Sequence, residues 1–247
     1  MMYDPLVVFP NEKVLVATGS PFTTPEEFLI SSPVVAAIAD LGLGNAASVA
    51  NMCRRLGFEV HLSADPTGIE AADLVVLPGV GAWDAGMDRL HATGWGRALV
   101  EAAAAEKHVL GVCLGMQLLC ESSAEGTAPG LGLLPGRFER IPGIGRSGPR
   151  KVPHMGWNRV RFNWGAPDVG MPGEGRYYFV HSFSYGSPSN GVVIGTVDHD
   201  GELVAAIGRG RVLGVQFHPE KSHEPGFLLM RSIGEWVVRN GSLEANR

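Results

Sequence analysis

No apolar run in this chain approaches the ~20 residues that a membrane-spanning helix needs, so a membrane role is not expected. Cysteine is scarce. Cys53, Cys113 and Cys120 are too few, and odd in number, for a disulfide framework. No Cys-x-x-Cys or His-x-x-x-His spacing occurs, so neither a structural metal nor a cofactor is expected. Charge is sparse as well: 18% of residues are charged, the formal net charge is −5, and no basic stripe is present, which argues against nucleic acid as partner. The first residues include Asp4, Pro5 and Pro10 and no basic segment, so no secretion signal is expected. Reduced thiols and the missing signal together point to the cytoplasm.

What the chain does have is apolar material, 45% of its residues, arranged in short blocks. Residues 1–33 are broken by five prolines and do not resolve into elements; they are set apart as an N-terminal extension, with 34–247 as one domain. Residues 34–39 are continuously apolar, as in a central parallel strand covered on both faces. After the loop 40–45, Val49, Met52, Cys53 and Leu56 recur at helical spacing, so a helix is predicted over 46–56 and Cys53 is assigned to packing. Strands are predicted at 58–62 and 73–77, a helix at 84–105 broken near Gly94, and a fourth strand leading to Cys113. The alternation implies a doubly wound, mostly parallel α/β sheet with helices on both faces.

From about 135 the segments shorten, and glycine and proline become dense. Antiparallel strands are predicted at 136–141, 159–162, 176–180, 191–198, 203–209 and 211–217, with Arg209-Gly210 turning a hairpin. They form an antiparallel β extension in the C-terminal half. A final helix is predicted from Pro225 to Arg239, closed by Asn240-Gly241.

Between the fourth strand and the helix that follows it lies Gly111-Val112-Cys113-Leu114-Gly115. Gly-x-Cys-x-Gly is the cysteine form of a strained strand-to-helix turn that lifts a nucleophile to the end of its strand. Glycines at both flanks let strand and helix pass closely. The free N–H groups of a helix start suit a sulfur anion. Alone, the pattern is nearly balanced against a small core residue. Val215-Gln216-Phe217-His218-Pro219-Glu220 shifts that balance. If the extended conformation persists, His218 and Glu220 share one face, and the carboxylate orients the imidazole as a base. The backbone N–H of Leu114 and a second donor from Val80 or Gly81, in the loop Pro78-Gly79-Val80-Gly81, would stabilise an oxyanion.

Gly111-Val112-Cys113-Leu114-Gly115-Met116-Gln117 and Phe217-His218-Pro219-Glu220 resemble the class I, triad-type glutamine amidotransferases. Three further stretches resemble the glutaminase subunits of imidazole glycerol phosphate synthases: Pro153-His154-Met155-Gly156-Trp157-Asn158, Tyr178-Phe179-Val180-His181-Ser182-Phe183 and His218-Pro219-Glu220-Lys221-Ser222. Gly42-Leu43-Gly44-Asn45 and Pro78-Gly79-Val80-Gly81-Ala82-Trp83 fit too. The resemblance implies hydrolysis of L-glutamine to glutamate and ammonia. It also implies delivery of that ammonia to a (β/α)₈-barrel cyclase subunit, in a heterodimer that makes imidazole glycerol phosphate and aminoimidazole carboxamide ribotide for histidine biosynthesis. Carried over position by position, Cys113 is the nucleophile, His218 the base and Glu220 its orienter. Gly79, Gln117, Glu121, His181, Ser182 and Phe183 hold glutamine. Asn45, Met155, Trp157 and Lys221 face the partner. Leu41, Trp83 and Phe183 depart from the usual pattern, and none of them touches the triad. The residues leave three other readings open: a glutaminase of another pathway, a stand-alone cysteine hydrolase, and a binding module with an unused triad.

Overall fold

Nine strands, parallel on one side and antiparallel on the other, form the main sheet in the computed structural model, which describes residues 29–163, 169–170, 174–186 and 191–244. In chain order the elements are β1 (Val35–Ala39), α1 (Ala46–Arg55), β2 (Glu59–Ser63), β3 (Leu74–Gly79), α2 (Trp83–Thr93), α3 (Trp95–Ala104), β4 (His108–Cys113) and α4 (Leu114–Leu118). Then follow β5 (Ser122–Ser123), β6 (Arg137–Arg140), β7 (His154–Phe162), β8 (Glu174–His181), β9 (Phe183–Tyr185), β10 (Val193–Asp198), β11 (Glu202–Arg209), β12 (Val212–Val215) and α5 (His223–Glu244). The main sheet runs β2-β1-β3-β4-β12-β11-β10-β7-β8, and a small second sheet runs β5-β6-β9.

Period-two alternation divides the core between the two faces. Ala36, Ile38, Leu74, Val76, Leu110 and Val112 turn toward α1 and α5 and pack with Met52, Cys53, Leu229 and Ile233. Ala37, Ala39, Val75, Leu77 and Val109 turn the other way, toward Met87, Leu90 and Trp95 of α2 and α3. Strands covered on both faces must be apolar throughout, and β3 and β4 are buried at every residue. Full burial of a side chain such as Ile38 or Leu77 contributes ~1.5–3 kcal/mol. The doubly wound sheet and the antiparallel extension thus stand as the sequence predicts. So does the helix break at Gly94, whose φ of 80° only a residue tolerant of the left-handed region accepts readily.

Four local expectations are corrected. Segment 211–217 is predicted as part of the antiparallel extension, yet β12 is also parallel to β4, with Val215 opposite Val112. Its four residues are all buried, as suits a strand inserted at the centre of a sheet. Strand β7 begins at His154, five residues before the predicted start, because His154–Val160 pairs with Gly175–His181 although half of its side chains face solvent. Helix α5 does not stop at Asn240-Gly241 but continues to Glu244. The Asn240 amide donates to the Trp236 carbonyl one turn back at 2.7 Å, so it supports the helix instead of ending it. Finally, Pro219–Lys221 is a 3₁₀ turn, not extended chain. Proline at its start has the φ such a turn needs and no N–H to lose.

Residues 1–28 of the predicted extension lie outside the described residues. Its last residues are tied to the end of α1 and to α5: the Ile30 N–H donates to the Leu56 carbonyl at 3.0 Å, and Ser31 donates from backbone and hydroxyl to the Glu235 carboxylate at 2.7 and 2.6 Å.

The strand-to-helix turn at Cys113, an elbow between β4 and α4, depends on its glycines. A Cβ on Gly111 would sit 2.6 Å from the Met116 nitrogen, and one on Gly115 would overlap the Leu77 carbonyl oxygen. Both obstacles are backbone and cannot swing aside. Gly115→Ala is therefore expected to lose ~3 kcal/mol or more of stability, whereas Gly143→Ala, with nothing within 4 Å, should stay within ~0.5 kcal/mol; urea unfolding of the two variants checks this.

Candidate active site

Parallel strands end level, and the site lies beyond those ends. The register sets Gly79, the last residue of β3, beside Cys113, the last of β4. On the other side of β4, β12 pairs Val215 with Val112, so the chain continues past Cys113 as Gln216-Phe217-His218. Cys113 has φ 55° and ψ −111°, outside the regions open to most side chains. Such strain survives only where neighbours over-determine it, and here the close strand-to-helix turn does so. Cys113 is buried, with 5% of the residue exposed. Helix α4 has only five residues, so its macrodipole is smaller than the sequence implies; its first N–H groups remain.

His218 is held at every backbone handle. Its N–H donates to the Tyr178 carbonyl at 2.9 Å, and its carbonyl accepts from the Ser222 hydroxyl at 2.5 Å and from the Lys221 N–H at 3.1 Å. Nδ1 and Glu220 Oε1 lie 2.7 Å apart, with side chains 0% and 1% exposed. The two therefore meet as expected, but through the 3₁₀ turn. The Nε2 atom is buried and makes no well-formed hydrogen bond. Burial by itself pulls the imidazole pKa down, but the neighbouring Cys113 sulfur and then the Glu220 carboxylate outweigh it and bring it up to about 9. Burial likewise pushes the Glu220 carboxyl up, and His218 and the Asn45 amide overcome that and hold it below its ordinary value.

Asn45, expected to face a partner, also donates from Nδ2 to Glu220 Oε1 at 3.1 Å. It sits at φ 57° just before α1, in a left-handed conformation that asparagine tolerates better than most residues. Met155 and Trp157 are exposed at 60% and 44%, large values for such side chains. Trp157 meets the Tyr178 ring edge-on at 4.8 Å, and Lys221 Nζ lies 5.8 Å from the centre of that ring. These groups border His218, because Tyr178 and His218 are bridged directly.

The residues expected to hold glutamine are spread more widely. Gln117 is buried, and its Nε2 donates to Gln216 Oε1 at 3.1 Å. Glu121 is exposed and accepts the Gly136 N–H at 2.9 Å, an engagement that spacing did not suggest. Ser182 and Phe183 are half-buried where β8 passes into β9. His181 is buried; burial lowers its pKa to about 3, and that of His154 to about 4. Both are therefore neutral at pH 7, and the Phe183 carbonyl fixes the tautomer of His181. His181 Nδ1 must donate to the Phe183 carbonyl at 2.8 Å, so its Nε2 accepts from His154 Nδ1 at 3.0 Å. Gln216, Ser222 and the pairing of His154 with His181 were missed from the sequence. Gln216 alone carried a signal, as a polar residue between apolar Val215 and Phe217.

With the geometry in place, comparison with known proteins is decisive. The model of the family glutamine amidotransferase class-I matches residues 37–231. Proteins named imidazole glycerol phosphate synthase subunit HisH are similar along most of their length. The one from Moorella thermoacetica is 45% identical over 209 residues, 83% of this chain and 97% of its own. That from Synechococcus sp. strain JA-2-3B'a(2-13) is 43% identical over 216 residues, 85% and 97% of the two chains. The chain belongs to the class-I glutamine amidotransferases, among the HisH subunits. Solved structures share the fold at lower identity. A putative GMP synthase component from Thermoplasma acidophilum superposes with TM-score 0.63 at 17% identity, over 86% of this chain and 98% of its own. PurLQS from Thermotoga maritima gives 0.62 at 20% identity, over 83% and 99%. In this amidotransferase no helix of the described residues is long and apolar enough to cross a membrane.

The raised imidazole makes a test with a definite sign. A His whose folded pKa lies above its ordinary 6.5 favours the native state fully below 6.5, and that contribution is lost as pH rises through about 9. The lowered Glu220 carboxyl favours it fully above 4.5, with loss as pH falls. Glu220→Gln should therefore cost most stability between pH 4.5 and 6.5 and progressively less toward pH 10. In NMR titration of the imidazole, the His218 midpoint in that variant should fall below about 9, part of the way toward 6.5, because the Cys113 contribution remains.

Proposed function

We propose that this chain is the glutaminase subunit of an imidazole glycerol phosphate synthase, working in the cytoplasm as a heterodimer with a (β/α)₈-barrel cyclase. One observation carries the reading: a cysteine at a strained elbow lies beside a strand that delivers a buried His–Glu pair, in a chain this similar to HisH subunits.

The chemistry follows from the groups present. The Cys113 sulfur attacks the γ-carboxamide carbon of L-glutamine, and the carbonyl π electrons move to oxygen. The oxyanion is held by the backbone N–H of Leu114 and by a second N–H from Val80 or Gly81, each such donor being worth ~10²–10³ in rate. His218 carries the proton needed by the leaving nitrogen, so the C–N bond breaks as ammonia departs and a thioester remains. The imidazole, now neutral, takes a proton from water as that water attacks the thioester. A second oxyanion collapses, the C–S bond breaks, and glutamate is released. Glu220 keeps Nδ1 protonated and aimed through both steps. Gly79, Gln117, Glu121, His181, Ser182 and Phe183 serve glutamine, and Asn45, Met155, Trp157 and Lys221 meet the cyclase. An exposed Trp beside an exposed Met suits an interface anchor. Ammonia passes to the cyclase, which forms imidazole glycerol phosphate and aminoimidazole carboxamide ribotide for histidine biosynthesis.

Co-purification with a cyclase subunit tests this reading. Glutamate release should be slow for the chain alone and rise when the cyclase and its phosphorylated ribulosyl substrate are added. Cys113→Ala should abolish glutamine use by the complex while product formation from ammonium salts persists. If the cyclase alters neither the glutaminase rate nor the sedimentation, the assignment to this synthase fails.

A further inference from the structure

Gln216 is 0% exposed and lies at the point where β12 passes the elbow. Its backbone N–H is committed to the Ala205 carbonyl at 2.9 Å, so the residue cannot shift along the sheet. Its side chain reaches across to β4: Nε2 donates toward Cys113 Sγ at 3.8 Å, and Oε1 accepts from Gln117 Nε2 at 3.1 Å. An amide so deeply buried costs free energy unless both of its ends are occupied. Val215 and Phe217 on either side are apolar and fully buried, so Gln216 is the polar exception in this segment. The polar choice calls for a reason.

The orientation of the amide supplies one. A sulfur anion only accepts hydrogen bonds. Turned over, the Gln216 amide would set its oxygen against the sulfur and its nitrogen against the Gln117 nitrogen. Gln117 could turn over as well and restore its own contact, so the sulfur anion is what selects the orientation, and in it the donors run from Gln117 through Gln216 to the sulfur. Each link polarises the next and strengthens the last donor.

We infer that Gln216 is a positioning residue for Cys113, holding the sulfur in one rotamer and sustaining its anionic form, with Gln117 holding the Gln216 amide in register. The inference rests on the reading of Cys113 as nucleophile and adds to it a neutral donor that persists whether His218 is protonated or not. The same N–H stabilises sulfur as it leaves the tetrahedral adduct of the thioester, when negative charge returns to it. The bond is weakest on the uncharged thioester sulfur, so it favours both the start and the end of the cycle over the middle.

Iodoacetamide alkylation of the full chain, followed by mass spectrometry across a range of pH, reads the sulfur directly. Cys53 and Cys120 serve as internal references, since burial pushes both thiols up to about 12. Gln216→Met keeps the length and removes the donor. Its Cys113 profile should move to higher pH by about one unit, with about tenfold slower labelling at pH 7, a change matching the loss of one hydrogen bond to a charged group. The His218 NMR midpoint should fall with it. Glutaminase kcat in the cyclase complex should drop about tenfold with KM little changed. Gln117→Leu, which leaves Gln216 in place but unpinned, should move the alkylation profile the same way by a smaller amount, and it supplies the test if Gln216→Met does not fold. Wild-type alkylation profiles in the folded variants would overturn the inference while leaving the nucleophile assignment intact. Wild-type Cys113 that resists alkylation at every pH would overturn both.

Discussion

Parallel pairing of Val212–Val215 with Val109–Val112 is the constraint on which the site depends. Cys113 and Gln216 are 103 positions apart, and this register brings their side chains together. A shift by one residue would reverse the faces of the strand and carry the imidazole away from the sulfur. Burial enforces the register, because every residue of β12 is enclosed between β4 and β11. The catalytic geometry is thus a by-product of packing apolar strands, and the polar groups are added where those strands run out.

Around that register the site is assembled from layers of support. Glu220 receives His218 and Asn45 on the same carboxylate oxygen. Ser222 ties the His218 carbonyl to β8 by also accepting the Tyr178 N–H at 3.0 Å. Strain at Cys113 is balanced by the two flanking glycines, which admit Leu77 and Met116 where a side chain would not fit. The exposed pair Met155 and Trp157 borders this network, because β7 pairs Trp157 with Tyr178 and Tyr178 bridges to His218.

The parallel half was legible in the sequence because each strand is an unbroken apolar block and each helix has a clean stripe. The elbow was legible because a glycine two residues to either side of a cysteine, at the end of such a block, has few other uses. The antiparallel half was harder to read. Strand β7 alternates exposed and buried residues, and Met155 and Trp157 on its open face hide the period. Of the partners of β12, the Arg209-Gly210 turn gave β11, but the parallel neighbour β4 could not be read, since an apolar block does not state which further neighbour it takes or in which direction. His218 and Glu220 were rightly paired for the wrong reason: two residues apart is one face of a strand, but Pro219 turns the chain, and the same two side chains meet within the turn. Gln216 went unnoticed because its role exists only across β4 and β12.

Strand order has a consequence for how the chain is made. Between the end of β4 and the start of β12 the ribosome must add the whole antiparallel half, which at ~5–20 residues per second occupies about 5–20 s. Through that interval one edge of a strand buried at all six positions lacks its eventual neighbour. An unpaired apolar edge is a template for association with other chains. Biogenesis of this protein therefore carries a window of vulnerability that closes only when its last strand slides into the gap.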